Sequence, residues 1–313
     1  ASNLSKVNSQ RSGICHSKSQ RCVMTKSKIA IGTAQIGMDY GIANNIGKPD
    51  LDEVKKIFDI ASKNNIDTFD TALNYGDSEK IIGIIGIGES KVITKLPAFN
   101  GRKEEIREWL NEKINESFEN LQADSIFGLL LHNPKDLINN DIGEELIQGL
   151  NRYREEGKIK KIGVSVYSPD ELEELISNLK IDIIQAPLNI MDRRLLTSGW
   201  MERLKSLGIE VHVRSIFLQG LLLMKQEDLP DQFKKWSSHF SKWYSWLDEY
   251  QISPLNACLN YAMHIDDIDK VVIGIDNAGQ LDEICMINHE SGFVFPDYLM
   301  SQDEMLINPS NWL

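Results

Sequence analysis

Four polar residues that suit acid–base chemistry lie at or just past the ends of apolar runs. Asp70 is in the run DTFDTA, Tyr75 follows in the loop LNYG, Lys95 is near the end of KVITKL, and His132 ends IFGLLLH. In a parallel barrel the carboxyl ends of all strands open onto one pocket. We therefore expect this carboxylate, phenol, ammonium and imidazole to meet in one active site.

Each of the four side chains has a plausible task in reducing a carbonyl group. A phenol is a weak acid at neutral pH, and the ammonium of Lys95 would lower the pKa of Tyr75 by stabilising its phenolate. Asp70 would balance the buried charge of Lys95. Tyr75 and His132 would both donate hydrogen bonds to an oxygen on which negative charge grows. Delivery of a hydride to the carbonyl carbon creates such an oxygen.

Eight apolar runs alternate with amphipathic segments along the chain, which predicts a (β/α)8 TIM barrel with a parallel eight-stranded sheet. The runs are nearly continuous in apolar residues, as expected for strands that are covered on both faces. A doubly wound open sheet is the alternative, but it does not require eight strands. The predicted strands are 28–34, 67–72, 91–96, 125–132, 161–167, 182–189, 210–217 and 270–275.

Composition limits the class of partner. The chain has 313 residues, a net charge of −12 and a pI near 5.1, so it lacks the basic surface that nucleic-acid binding needs. The sequence contains no run of about 20 apolar residues, so no membrane span is predicted. A small-molecule substrate and a cytoplasmic location are therefore expected. Four cysteines are too few for a disulfide scaffold and fit a reducing compartment; they are Cys15, Cys22, Cys258 and Cys285.

The predicted domain layout is one barrel with two extensions. Residues 1–27 contain basic residues but no acid and little apolar periodicity, which predicts a disordered, non-native extension; a transit peptide is the alternative. The barrel is expected over 28–290, followed by a tail over 291–313 with little periodicity.

Two patterns resemble other kinds of site but do not meet their requirements. The segment IIGIIGIG at 81–88 precedes a strand and ends a predicted helix, whereas a dinucleotide-binding turn must follow a strand and open a helix. Its glycines instead predict helix termination and a loop. Cys15, His16 and Cys22 match no zinc-ligand spacing, so no metal site is predicted.

The segments FDTALNYG, VITK and LLLH resemble those of the aldo-keto reductase superfamily. The catalytic Asp, Tyr, Lys and His of that superfamily correspond in order to Asp70, Tyr75, Lys95 and His132. The resemblance implies a TIM barrel, NADPH or NADH as cofactor, and Tyr75 as the general acid.

The resemblance extends to the nicotinamide end of the cofactor site. Ser165 in GVSVY and Gln185 in QAPLN match residues that contact the nicotinamide carboxamide, and Asn189 matches a frequent asparagine. Val166 stands at the position where the family has an asparagine that also contacts the carboxamide. Arg214 occupies the position of the residue that stacks on the nicotinamide, and a guanidinium plane can also stack.

The rest of the cofactor assignment also follows from the resemblance. RSIFLQGLL resembles YSPLGRGLL, which implies that Ser215, Leu218 and Gly220 hold the pyrophosphate. Asp276 stands where many members place a base against the 2′-phosphate, and a carboxylate prefers a ribose hydroxyl. This predicts relaxed or NADH-leaning specificity. Further implied cofactor contacts are Gly32, Thr33, Gln280 and Glu283.

Two loops are candidates for the wall of the substrate pocket. The first loop, 35–44, offers Met38 and Tyr40, and the insertion 223–252 carries an apolar pattern that predicts an amphipathic helix packed on the barrel. The expected substrate is an aldehyde or ketone, and sugar-like compounds and small aldehydes both remain open. Two alternatives remain open: a cofactor-binding sensor or regulatory subunit with slow turnover, and a lyase or isomerase that forms a Schiff base on Lys95.

Overall fold

The computed structural model describes residues 28–312 apart from 43, 45, 139, 179 and 288–291. Its eight strands pair in parallel and in chain order, and β8 pairs with β1 to close the barrel. The predicted (β/α)8 fold is confirmed, while the predictions for residues 1–27 lie outside the described part. The strands are β1 Ile29–Gly32, β2 Thr68–Asp70, β3 Lys91–Leu96, β4 Ile126–Leu131, β5 Ile159–Ser165, β6 Ile183–Pro187, β7 Glu210–Arg214 and β8 Lys270–Gly274.

Most predicted strands extend too far at the carboxyl end. The run 210–217, for example, leaves the sheet after Arg214, and β5 starts at Ile159, two residues before its predicted start. Several of the residues that follow the strands, such as Val166, Leu188 and Ile216, are also apolar and buried. Hydrophobicity alone therefore cannot separate strand ends from loop beginnings.

Helices connect the strands on the outside of the barrel. The first begins after Asp50, whose carboxylate accepts a hydrogen bond from the N–H of Glu53 at 2.8 Å. The main helices are α1 Leu51–Lys63, α2 Ser78–Ile85, α3 Ile106–Leu121, α4 Asn140–Glu155, α5 Leu172–Asn178, α6 Trp200–Ser206, α7 Ser237–Tyr250, α8 Pro254–Met263 and α9 Ala278–Met286. Single helical turns cover Ala34–Gly37, Lys135–Ile138, Arg194–Thr197 and Glu304–Ile307.

The glycines of 81–88 belong to a helix end, as predicted, with one difference. Gly86 closes α2 with a φ of 93°, a left-handed conformation that favours glycine. Gly83 lies inside α2, where an added Cβ would fall 2.1 Å from the carbonyl oxygen of Asn120 in α3. Gly83 thus serves the close packing of two helices rather than a dinucleotide-binding turn.

An apolar layer inside the barrel supports the polar residues above it. Ile93, Leu130 and Ile183 form a separate buried cluster. Because β6 does not neighbour β3 or β4 in the sheet, this contact crosses the barrel interior. Side chains alternate along a strand, so Lys95 and Gln185, each two residues further on, face the same interior at the carboxyl end.

The insertion after β7 forms an amphipathic helix, as predicted, and it packs against the end of the chain. Trp243 and Trp246 of α7 are fully buried, and the indole N–H of Trp246 donates to the carbonyl of Val294 at 3.2 Å. Leu306 and Ile307 are also fully buried, so the segment 292–312 contributes to the core. Within the described ranges, no helix is long and apolar enough to cross a membrane.

Candidate active site

A buried ion pair joins the second and third strands at the carboxyl end of the barrel. The ammonium of Lys95, which has no exposed surface, donates to Asp70 Oδ1 at 2.5 Å and to the carbonyl of Thr71 at 2.9 Å. Gln185 Nε2 donates to the second carboxylate oxygen of Asp70 at 2.7 Å. Burial lowers the pKa of Lys95, and the charge of Asp70 opposes that shift. The pair therefore links β2, β3 and β6 and keeps both charges matched.

The loop that carries Tyr75 is held by close backbone packing. A Cβ on Gly37 would lie 1.7 Å from the carbonyl oxygen of Tyr75, and the N–H of Asp77 donates to the carbonyl of Gly37 at 3.3 Å. Only glycine allows this approach. As a result, the Tyr75 ring lies over the ion pair, with its centroid 5.1 Å from Lys95 Nζ.

Buried hydroxyl groups fix the same loop from below, and sequence reasoning missed this role. Ser78 Oγ donates to Thr33 Oγ1 at 2.7 Å and lies 3.0 Å from Thr71 Oγ1. Thr33 Oγ1 donates in turn to the carbonyl of Asp70 at 2.9 Å. Thr33 is fully buried, and its hydroxyl accepts one hydrogen bond and donates another within the protein.

Glu79 is a second support that the sequence analysis missed. Its carboxylate is 2% exposed and accepts hydrogen bonds from Thr94, Ser117 and Asn120 at 2.5, 2.9 and 3.2 Å. These bonds connect the first turn of α2 with β3 and α3. The sequence signal for this role was an acidic residue in the first turn of a helix whose later residues are apolar.

Tyr75 and His132 meet edge to face, with ring centroids 5.9 Å apart at an angle of 80°. Burial and the positive charges of Lys95 and Arg214 lower the pKa of His132 to about 4, so the imidazole is neutral at pH 7. The pKa of Tyr75 is raised by burial and by the charge of Asp70. This direction is opposite to the lowering expected from Lys95, because burial is the largest cause of the shift.

Arg214 extends across the site from the end of β7. Its Nη2 donates to the carbonyl of Val166 at 3.0 Å, and its Nη1 lies 3.4 Å from Ser215 Oγ. The guanidinium carbon lies 4.8 Å from the ring centroid of Tyr167. The sequence analysis did not identify Tyr167, which directly follows the matched segment GVSV.

The predicted nicotinamide end contains a buried acceptor that lacks a partner. Because a carboxylate can only accept, Asp70 fixes the amide of Gln185 with its nitrogen toward the acid. Gln185 Oε1 is then buried without a hydrogen-bond partner among the described residues. Ser165 lies opposite Gln185 on the neighbouring strand and is buried. This pair fits a carboxamide that donates to Gln185. Asn189, by contrast, uses its Nδ2 to hold the carbonyl of Ser215 at 3.1 Å.

The predicted pyrophosphate loop has an unusual backbone. Ser215, Leu218, Gln219 and Gly220 have φ values of 61°, 50°, 53° and 87°. Left-handed residues that are not glycine are strained and concentrate at functional sites. Such turns aim backbone N–H groups into a shared concavity that binds anions. The loop conformation is therefore compatible with a pyrophosphate group.

The predicted adenosine end is acidic. Asp276 Oδ2 accepts from Gln280 Nε2 at 3.1 Å, and the N–H of Asp276 donates to Gln280 Oε1 at 2.9 Å. Asp276 Oδ1 is buried without a partner among the described residues. Glu283 is exposed on α9. The free carboxylate oxygen fits a ribose hydroxyl and does not fit a phosphate.

The loops after β1 and β7 meet over the barrel mouth. Met38 and Tyr40 are 36% and 39% exposed, and Tyr40 Oη accepts from Gln219 Nε2 at 3.4 Å. Burial raises the pKa of Tyr40, the nearby phenol of Tyr75 adds to that shift, and the charge of Arg214 opposes it. The two loops therefore meet at the carboxyl end of the barrel, close to Tyr75.

A closed parallel barrel with these four side chains at the carboxyl ends of its strands defines a (β/α)8-barrel enzyme. The model of the aldo/keto reductase family matches residues 28–300. The chain belongs to the aldo/keto reductase family, and it is an oxidoreductase that uses NAD(P)H on a carbonyl compound.

Similar proteins agree with this assignment. An uncharacterized oxidoreductase, YqkF, of Bacillus subtilis is 25% identical over 226 residues, which cover 69% of each chain. An NADH-specific methylglyoxal reductase of Escherichia coli is 36% identical over 78 residues, which cover 25% of this chain and 24% of that protein.

Solved structures share the fold. The aldo-keto reductase AKR11C1 of Bacillus halodurans has a TM-score of 0.68 and 20% identity, covering 85% of this chain and 88% of its own. The glycerol dehydrogenase AKR11B4 of Gluconobacter oxydans has a TM-score of 0.64 and 21% identity, covering 86% and 88%.

Removing one member of the buried ion pair should destabilise the protein strongly. Asp70→Asn leaves the Lys95 charge without its counter-ion, and we expect a loss of about 3–5 kcal/mol in unfolding free energy. The double variant Asp70→Asn/Lys95→Met removes both charges and should be more stable than the single variant. Urea denaturation measures both. A double variant less stable than Asp70→Asn would contradict this account.

Acid should destabilise the fold partly through His132. The unfolded chain protonates this residue below its ordinary pKa of 6.5, whereas the folded protein resists until about pH 4. Stability is therefore lost as the pH falls through this window, by about 3 kcal/mol between pH 7 and pH 4. The variant His132→Gln should lose less unfolding free energy between pH 7 and pH 4, as measured by urea denaturation at both pH values. Equal losses in both proteins would show that His132 does not titrate this way.

Proposed function

We propose that the protein reduces an aldehyde or ketone to an alcohol with Tyr75 as the general acid. The observation that supports this most is the edge-to-face contact of the Tyr75 and His132 rings, with the tyrosine ring above a matched ion pair. A bound nicotinamide would supply the hydride to the carbonyl carbon. Tyr75 would give its hydroxyl proton to the carbonyl oxygen, and the resulting phenolate would regain a proton from water.

Burial and the charge of Asp70 raise the pKa of Tyr75, so its hydroxyl keeps its proton at neutral pH until a stronger base forms next to it. The substrate oxygen becomes such a base as negative charge grows on it. Lys95, 5.1 Å from the ring centroid, would limit the cost of the transient phenolate.

His132 would orient the carbonyl group. With a pKa near 4 its imidazole is neutral, so it would donate one hydrogen bond without competing with Tyr75 as a proton source. Two donors that converge on one oxygen stabilise its developing charge.

The Schiff-base alternative fits the site less well. A lysine nucleophile must reach its substrate as a free amine. The side chain of Lys95 has no exposed surface and donates to both Asp70 and Thr71. A sensor with slow turnover would keep the same geometry, and steady-state turnover separates it from a reductase.

We also propose that the cofactor specificity is relaxed or leans toward NADH, and that the enzyme acts in the cytoplasm on small carbonyl compounds, including sugar-like ones. Asp276, with its free buried oxygen, supports the cofactor preference. The Escherichia coli relative that matches a quarter of this chain is named an NADH-specific methylglyoxal reductase.

Tyr75→Phe removes only the hydroxyl and should lower kcat by about 10²–10⁴-fold, the range for loss of a general acid. NADH should still bind, because the ring and the ion pair remain. Turnover of small aldehydes and fluorescence titration of NADH measure the two effects. Tyr244→Phe, a change on α7, is the matched control. Unchanged kcat in the Tyr75 variant would refute its role.

Asp276→Ser should shift the cofactor preference toward NADPH. Loss of the carboxylate removes repulsion of the 2′-phosphate, and we expect the kcat/KM ratio of NADPH to NADH to rise about tenfold or more. Asp231→Ser, an equal charge change at an exposed site, is the control. A hundredfold preference of the unmodified enzyme for NADPH would contradict the assignment.

A further inference from the structure

Arg214 lies beside the buried acceptor that a nicotinamide carboxamide would use. Gln185 pairs with Ser165 of β5 on one side and with His212 of β7 on the other. Side chains alternate along a strand, so Arg214, two residues after His212, faces the barrel interior as Gln185 does. Its Nη2 donates at 3.0 Å to the carbonyl of Val166, the residue after Ser165. The guanidinium therefore crosses the end of β6 and borders the place where a carboxamide would meet Gln185 Oε1.

The charge of Arg214 has no acidic partner within the part of the chain that the structure describes. The guanidinium contacts the carbonyl of Val166, the hydroxyl of Ser215 and the ring of Tyr167. All three groups are uncharged. The residue is half-buried, so water screens its charge less than it would at an exposed site.

This charge acts on the neighbouring catalytic groups. It contributes to lowering the pKa values of His132 and Lys95. The charge of Lys95 is matched by Asp70, whereas that of Arg214 is not matched. A second positive charge placed at the carboxamide end of the site would therefore be repelled by Arg214.

Tyr167 keeps the guanidinium in this position. The ring centroid of Tyr167 lies 4.8 Å from the guanidinium carbon. The backbone of Tyr167 is itself held on both sides, because its N–H donates to Glu171 Oε2 at 2.7 Å and its carbonyl accepts from Arg194 Nη2 at 3.2 Å. Arg214 can move away from an incoming cation only by losing the contacts with Tyr167 and with the Val166 carbonyl.

The two oxidation states of the cofactor differ in charge at the nicotinamide ring. The ring is neutral in the reduced form and carries a positive charge in the oxidised form. Like charges repel, and they do so more strongly in a half-buried site than in water. The unmatched guanidinium should therefore weaken binding of the oxidised form and leave binding of the reduced form almost unaffected.

We propose that Arg214 determines the redox specificity of the site, so that the protein retains the reduced cofactor and rejects the oxidised one. This inference rests on the proposed nicotinamide end of the site and adds the oxidation state that this end selects. Because the oxidised cofactor then competes poorly for the site, reduction of carbonyl compounds is the favoured direction of use.

The diphosphate of the cofactor is the alternative ligand of Arg214, because the left-handed turn that suits a diphosphate begins at the adjacent Ser215. A guanidinium that binds the diphosphate would strengthen the binding of both oxidation states equally. ADP-ribose contains the diphosphate but lacks the nicotinamide, so its affinity separates the two roles.

The test is a fluorescence titration with NADH, followed by its displacement with NAD⁺ and with ADP-ribose, and it requires no turnover. The unmodified protein should bind NADH about tenfold or more tightly than NAD⁺. Arg214→Gln removes the charge but keeps a planar polar group. It should lower the ratio of the NAD⁺ to NADH dissociation constants about tenfold, mainly by tightening the binding of NAD⁺. ADP-ribose should bind equally well to both proteins.

Two further variants separate charge from shape and from net charge. Arg214→Lys keeps the charge without the flat guanidinium and should retain part of the discrimination. Arg102→Gln is the matched control, since Arg102 is exposed and pairs with Glu105. It changes the net charge as Arg214→Gln does and should leave the ratio as in the unmodified protein. Equal weakening of all three ligands in Arg214→Gln would assign Arg214 to the diphosphate and overturn the inference.

Failure of the inference can be distinguished from failure of the proposed function. Equal affinity of the unmodified protein for NADH and NAD⁺ would overturn the redox specificity, whether or not the variants fold, and would leave the reductase intact. The absence of binding of NADH and NADPH to the folded protein would contradict the proposed function itself. If NADPH binds more tightly than NADH, the same comparison is made with NADPH and NADP⁺.

Discussion

The active-site end of this barrel depends on the buried pair of Asp70 and Lys95. Neither charge is stable in the interior alone, so each must remain in contact with the other. Gln185 completes the arrangement by bonding to the second carboxylate oxygen. These hydrogen bonds thereby link strands β2, β3 and β6 at the mouth of the barrel. The tyrosine above the pair and the acceptor left on Gln185 both follow from this constraint.

Charge matching also explains the division of roles around the pocket. In the resting protein, burial and the charge of Asp70 raise the pKa of Tyr75, although Lys95 lies close to its ring. Among the described residues Arg214 has no acidic partner, and its charge contributes to the lowered pKa of His132. One cation is therefore matched by a carboxylate, whereas the other contacts the Val166 carbonyl, the Ser215 hydroxyl and the Tyr167 ring.

Much of the fold could be predicted from the local sequence. Strands covered on both faces are nearly continuous apolar runs, and eight of them with intervening helices indicate a closed barrel. The strand ends were misjudged, as at 210–217, because apolar residues continue into the buried loops. Gly83 was assigned to a helix end, since nothing local shows that α3 passes 2.1 Å from its missing Cβ.

The sequence by itself determined the fold class and the four catalytic candidates, because strand burial and polar residues at strand ends are local properties. Only the tertiary structure decided which polar atoms find partners. The free oxygens of Gln185 and Asp276, and the contact of Arg214 with Tyr167, depend on side chains from distant strands that meet when the barrel closes. Hydrogen bonding acts over about 3 Å, so these outcomes are decided by spatial proximity and not by proximity in the chain.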